Sequence, residues 1–167
     1  MSKPKFVVGN DYHALNRGNE KQAIFFEREN YPFFLRRLKD ALQKHSTELL
    51  CYCLMPNHFH LVLKEIIENG ISSVMLSLQT SYAKAINKRY NRVGHLFQGP
   101  FKHIHIDRNE YLLHLSRYIH FNPAEAGLVS KPEDWEFSSF RIEHSSHRTL
   151  TGFGTLSELE CYQKVTV

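Results

Sequence analysis

The sequence predicts an α+β domain in which an antiparallel sheet carries helices packed on one face. Three observations predict it. Apolar residues recur at three- and four-residue spacing in long segments, they run or alternate in short ones, and the two kinds of segment are interleaved along 167 residues. A chain of this length can bury a real core without disulfide or metal staples. Hydrophobic content of 42% with 13% aromatics excludes a disordered chain.

Tyr12 to Asn16 reads as the first strand, ended by the turn Arg17-Gly18-Asn19. From Tyr31 to His45, Phe34, Leu35, Leu38, Ala41 and Leu42 share one side of an amphipathic helix with charges between them. Leu49 to Leu54 is a strand, Met55-Pro56-Asn57 a turn, and Phe59 to Lys64 a second strand paired with the first as a hairpin. Ile71 to Tyr90 is helical, with Val74, Leu78, Tyr82, Ala85 and Ile86 on one side. Gly94 and Gly99-Pro100 break the chain, and Phe101 to Ile106 alternates like a strand. Asp107 or Asn109 is placed to cap a last helix from Glu110 to about Phe121. The first six elements make a ferredoxin-like split βαβ sandwich, and a C-terminal helix follows. Residues 1–140 form one domain, and 141–167 a tail with no assigned role.

No stretch approaches the roughly 18 apolar residues of a membrane span, and Met1-Ser2-Lys3-Pro4-Lys5 opens no signal peptide. The expected location is therefore the cytoplasm, in association with the nucleoid. Cys51 and Cys53 share a strand face and Cys161 lies near the end; all three are expected to be reduced thiols rather than a disulfide or zinc site. The net charge of +4 and pI near 9.0 are mild, but the distribution is uneven. Lys84, Lys88, Arg89, Arg92 and Lys102 occupy a segment without an acidic residue from Gln79 to Ile106, interleaved with Tyr82, Tyr90, Phe97 and Phe101. Cations among stacking rings suit a single-stranded nucleic-acid track; a solvated helix face beside a core gives the same pattern.

Fold alone does not define function, so the sites must. In Pro56-Asn57-His58-Phe59-His60-Leu61-Val62-Leu63, strand alternation projects His58 and His60 to one face and Phe59 to the other. Two imidazoles so placed can share one divalent ion. His103 and His105 repeat the spacing, and spacing alone does not choose between the pairs. In Arg117-Tyr118-Ile119-His120-Phe121-Asn122-Pro123, Tyr118 and Asn122 are four apart on one helical face. Pro123 disfavours helical geometry at Asn122 and places it near the helix end. Two nitrogen ligands and a neutral oxygen leave open positions, which suits Mg²⁺ or Mn²⁺ bound together with a substrate phosphate.

These residues resemble a known family. Pro56-Asn57-His58-Phe59-His60 before an apolar strand is similar to the histidine-hydrophobe-histidine signature of single-tyrosine HUH transposases. Tyr118-Ile119-His120-Phe121-Asn122-Pro123, followed by Gly127-Leu128-Val129, resembles the tyrosine helix of the REP-associated tyrosine transposases. Tyr12-His13-Ala14-Leu15-Asn16-Arg17-Gly18-Asn19 and Gly94-His95-Leu96-Phe97-Gln98-Gly99-Pro100-Phe101-Lys102 are similar to that family too. The resemblance covers roughly Tyr12 to Phe140; Pro100 stands where relatives often carry Arg, and relatives often continue further at the C-terminus. It implies that His58, His60 and Asn122 hold the ion and that Tyr118 is the nucleophile. It also implies a hairpin-forming single strand as target, cut through a 5′-phosphotyrosine with release of a free 3′-hydroxyl. The expected enzyme is a tyrosine HUH transposase, an endonuclease and strand transferase working as monomer or homodimer. Arg17, Lys84, Lys88, Arg89, Arg92 and Lys102 are its expected DNA contacts. Three other readings compete: a domesticated DNA-binding module without cleavage, a nucleotide phosphohydrolase using His103 and His105, and an RNA-binding domain. The last lacks the alternating glycine–aromatic run of a stacking platform.

Overall fold

The computed structural model describes residues 6–141. Cys161 and all but the first residue of the expected tail lie outside the described residues. The elements follow the expected order: β1 (Asp11–Arg17), α1 (Asn30–Lys44), β2 (Glu48–Met55), β3 (His58–Lys64), α2 (Gly70–Arg89), β4 (Lys102–Ile106) and α3 (Asn109–Glu125). Short 3-10 turns occupy Asn19–Lys21 and Pro132–Asp134. The four strands form one antiparallel sheet in the order β2-β3-β1-β4, the ferredoxin-like arrangement.

Alternation divides the sheet chemically. Tyr12 and Ala14 of β1, Leu54 of β2 and Phe59, Leu61 and Leu63 of β3 belong to the core beneath α1 and α2. Those helices bury Phe34, Leu38, Val74, Leu78 and Tyr82 in the same core. On the other face, Cys51, Cys53, Met55, Val62 and Ile106 meet Leu115 and Ile119 of α3. The first two helices thus share one face as expected, and the C-terminal helix takes the other. Cys51 and Cys53 are both buried on that face, where strand alternation places them together, and burial raises the Cys53 thiol well above its ordinary value.

Two local expectations for α3 need correction. The residue at its N-cap is Arg108, with no side-chain cap, rather than Asp107 or Asn109. The helix also runs on through Pro123 to Glu125, so Asn122 is a helical residue and not its last. Proline gives up the backbone hydrogen bond to the carbonyl four residues back, and its ring is buried within the helix's last turn.

After α3 the chain returns to the outer edge of β2. Leu54 N–H donates to the Phe137 carbonyl (2.9 Å) and Ser139 N–H to that of Tyr52 (3.0 Å), with Cys53 bridging Ser138. Phe137 stacks on Tyr31 of α1 at 3.9 Å between centroids, and the Trp135 indole N–H donates to the Leu54 carbonyl. His120 of α3 meets Ser139 Oγ at 2.9 Å. Residues 135–140 thus tie sheet edge, α1 and α3 together.

Glu65, just past β3, is fully buried and accepts the N–H groups of Gly70 (3.1 Å) and Ile71 (2.7 Å). It caps α2, whose own preceding residue, Asn69, makes no side-chain cap. Glu65→Ala takes the carboxylate from the buried Ile71 N–H, whereas the Gly70 N–H keeps its second acceptor, the Ile67 carbonyl at 3.1 Å. The change is expected to cost about 1–3 kcal/mol, read by urea unfolding. A loss below about 0.5 kcal/mol, the range of an ordinary surface change, would show that another group satisfies this terminus.

Candidate active site

β3 begins at His58 because the hairpin turn at Pro56-Asn57 places the first paired residue there, opposite Arg17 of β1 and Met55 of β2. His58 and His60 project to the face that carries α3, their ring centroids 5.0 Å apart and nearly perpendicular. α3 crosses above them. Asn122 Nδ2 lies 3.3 Å from His60 Nε2, and the Tyr118 ring sits 6.2 Å from the His60 ring at 80°. The strand pair and the helical pair therefore converge. Tyr118 remains 52% exposed, open to a substrate from solvent.

Proton positions follow from the partners. Asn57 Nδ2 donates to the Lys21 carbonyl, which turns its oxygen toward His58; His58 Nδ1–H donates to that oxygen at 2.7 Å. His58 Nε2 is then a lone pair. Burial lowers the His58 pKa. It lowers His60 to about 3, with smaller contributions from His13 and His58, and His13 to about 4. All three imidazoles are neutral at pH 7, the state a metal ligand requires.

These shifts carry a stability consequence. Near pH 5 the unfolded chain binds protons at His13 and His60 that the native protein does not, so stability rises with pH there. Chelator-treated protein is expected to be fully stable above about pH 6.5 and to lose stability progressively as pH falls toward 4 and then 3. His13→Leu should flatten that slope in a pH series of denaturant midpoints; an equal slope would assign the acid lability elsewhere.

His13 was not singled out by motif or spacing. Its Nε2 lies 2.9 Å from His60 Nδ1, with the rings stacked at 5.1 Å between centroids. The available signal was alternation in β1, which turns His13 away from Tyr12 and Ala14. The other pair, His103 and His105, lies opposite Ala14 and Tyr12 and so faces the α1–α2 side, against Phe6 and Tyr12. It does not enter the site.

Other tyrosines are otherwise engaged. Tyr82 is buried and donates to the Ile24 carbonyl at 2.7 Å, and burial raises its pKa well above the ordinary value. Tyr90 pairs with Asn30. Tyr111 is partly exposed near the start of α3, about two turns from Tyr118.

Beside His58 opens a cleft of about 400 Å³, lined by Arg17, Lys21, Asn57, Gln98 and Lys102 among others. Its outer wall is fixed by backbone pairing of residues 96–98 with Arg17, Gly18 and Asn19. Arg17 Nε donates to Gln98 Oε1 at 2.5 Å. Gly18 is required here: an added Cβ would lie 1.9 Å from the Gln22 carbonyl oxygen. Arg17 and Lys102 thus join the histidine site. Lys84, Lys88, Arg89 and Arg92 belong to α2 and the loop after it, in the helix layer on the sheet's other side. There Arg89 pairs with Glu27 at 2.9 Å and Arg92 lies over Phe26.

The donor set fits a divalent ion in chemistry. His58 and His60 offer neutral nitrogens, and rotation of the Asn122 amide by half a turn presents its oxygen. Among the described residues no group of three His, Cys, Asp or Glu side chains converges as a metal site. Any ion bound here would accordingly keep open positions for phosphate oxygens.

The antiparallel α+β sandwich thus holds a paired-histidine strand beneath Tyr118 and Asn122 of α3. Residues 6–122 match the family described as "Transposase IS200 like", and the chain belongs to that family. A REP-associated tyrosine transposase of Haemophilus influenzae is 25% identical over 118 residues, spanning 64% of this chain and 66% of the relative. Among solved structures, a REP-associated tyrosine transposase bound to a REP hairpin superposes with a TM-score of 0.73 at 18% identity, covering 93% of this chain and 92% of that one. A transposase of Deinococcus radiodurans gives 0.50 at 17% identity, covering 71% and 95%. At these identities the two structures speak to the fold. No helix among the described residues is long and apolar enough to cross a membrane.

Proposed function

We propose that this transposase cuts and rejoins single-stranded DNA at hairpin-forming sites, with Tyr118 as nucleophile and a divalent ion held by His58, His60 and Asn122. The observation that carries the reading is one helical face presenting both a half-exposed phenol and an amide in reach of His60. The relatives support it by name: one is a REP-associated tyrosine transposase, another such protein was solved on a REP hairpin.

When bound, Mg²⁺ or Mn²⁺ would neutralise charge on the non-bridging oxygens of the scissile phosphate. The protein's own part is positioning. α3 aims the Tyr118 oxygen at the phosphorus; the new O–P bond forms as the bond to the 3′-oxygen breaks, leaving a 5′-phosphotyrosine and a 3′-hydroxyl. Attack by another 3′-hydroxyl reverses the step and joins strands. Arg17, Lys21 and Lys102 supply the cations along the cleft, where the strand beside the scissile phosphate would lie. The test is incubation with labelled hairpin DNA and Mn²⁺, read as a covalent protein–DNA adduct. Tight binding without any adduct would make the protein a binding module of this fold instead.

The cations divide into two experiments. Arg17→Ala with Lys102→Ala should lower the salt slope of binding by about two and slow adduct formation on a short strand spanning only the cut. Replacing Lys88, Arg89 and Arg92 with Ala should lower the slope on a full hairpin yet leave that short-strand reaction intact, since these residues sit across the sheet from Tyr118. An unchanged slope would return them to a solvated helix face.

A further inference from the structure

We propose that His13 is a positioning residue: its Nε2 accepts the Nδ1 proton of His60 and thereby holds the Nε2 lone pair of His60 toward Asn122 and the ion. This inference rests on the metal reading above. Two neutral imidazoles 2.9 Å apart must divide the roles of donor and acceptor, and only two arrangements exist. If His13 donates, the proton of His60 resides on Nε2 and points at Asn122, and no lone pair faces the site. If His60 donates, its Nε2 lone pair faces Asn122 Nδ2 at 3.3 Å, the edge where an ion would bind.

The second arrangement has a cost that identifies it as functional. It puts the His13 proton on Nδ1, which is buried and has no hydrogen-bond partner among the described residues. A buried donor left unmade is unfavourable, and the residues directly opposite His13 on its two neighbouring strands are the apolar Val62 and Ile104. An aliphatic residue would fill the position without that penalty. Packing therefore does not account for an imidazole at position 13, whereas fixing the tautomer and ring orientation of a ligand does.

The prediction is read first on the unaltered, metal-free protein. Nitrogen-15 NMR of the imidazoles should find the His60 proton on Nδ1; a proton on Nε2 overturns the proposal. Mn²⁺ affinity, followed by the paramagnetic resonance of free Mn²⁺, should then fall about 10- to 100-fold in His13→Leu. The thermal midpoint in EDTA should not fall. His13→Gln should recover most of the affinity, because its amide oxygen can accept the same proton. Unchanged Mn²⁺ affinity in His13→Leu, with binding abolished in His60→Ala, would overturn the role of His13 and leave the metal site standing. Absence of Mn²⁺ binding that depends on His58 and His60 would remove the metal site, and the role of His13 with it.

Discussion

Tyr118→Phe is expected to abolish the covalent adduct, with strand cleavage reduced on the order of a thousand-fold or more, while hairpin binding and the unfolding midpoint stay within error. The substitution removes one oxygen from a ring that is half exposed, so neither the core nor any cap is disturbed. Other candidates lack the geometry. The Tyr82 hydroxyl is committed to the Ile24 carbonyl inside the core, and Tyr111 has no amide one turn beyond it. Peptide mapping of a trapped adduct gives the decisive readout. DNA attached at Tyr111, or persistent cleavage by Tyr118→Phe, would sink the assignment and move the chemistry to the start of α3.

His60→Ala should be comparably severe for a different reason. It removes the central member of the cluster, the ring that touches His13, faces His58 and meets Asn122. Cleavage is expected to drop at least about a hundred-fold, and Mn²⁺ binding to disappear, with Tyr118 still in place. His58→Ala should also stop cleavage, but without opening the interior: His58 lies near the surface, whereas His60 is buried. Raising Mn²⁺ should therefore rescue His58→Ala in part and His60→Ala hardly at all. Equal rescue of both variants would mean that the two imidazoles are interchangeable to the ion.

The parts of this site that could be read from the sequence are those set by local periodicity. Strand alternation places His58 beside His60, and helical repeat places Tyr118 over Asn122; both are short-range consequences of backbone geometry. The element order was enough to predict the sheet, because antiparallel pairing with short connections leaves few alternatives. His13 was missed because its partner is 47 residues away, and only the register of β1 on β3 brings them together. The basic run of α2 was visible, yet a helical period tells which side of a helix is polar and nothing about which side of a sheet the helix covers. The last helix was expected to end at about Phe121 yet continues to Glu125, because the bias against helical geometry before proline is a preference and not a prohibition. Trp135 to Phe140 carries no period at all, so its return to β2 could not be anticipated.

That return has a practical consequence for dissecting the protein. The stretch that matches the transposase family ends at residue 122, whereas the chain that seals β2 runs from 135 to 140. A fragment trimmed to the family boundary would lose its last turn of α3 and bare a long apolar sheet edge, with Cys51 and Cys53 behind it. Unsealed edges of that kind recruit other strands, so such a fragment should precipitate or exchange segments between copies. Any loss of activity in it would then report on solubility and not on catalysis.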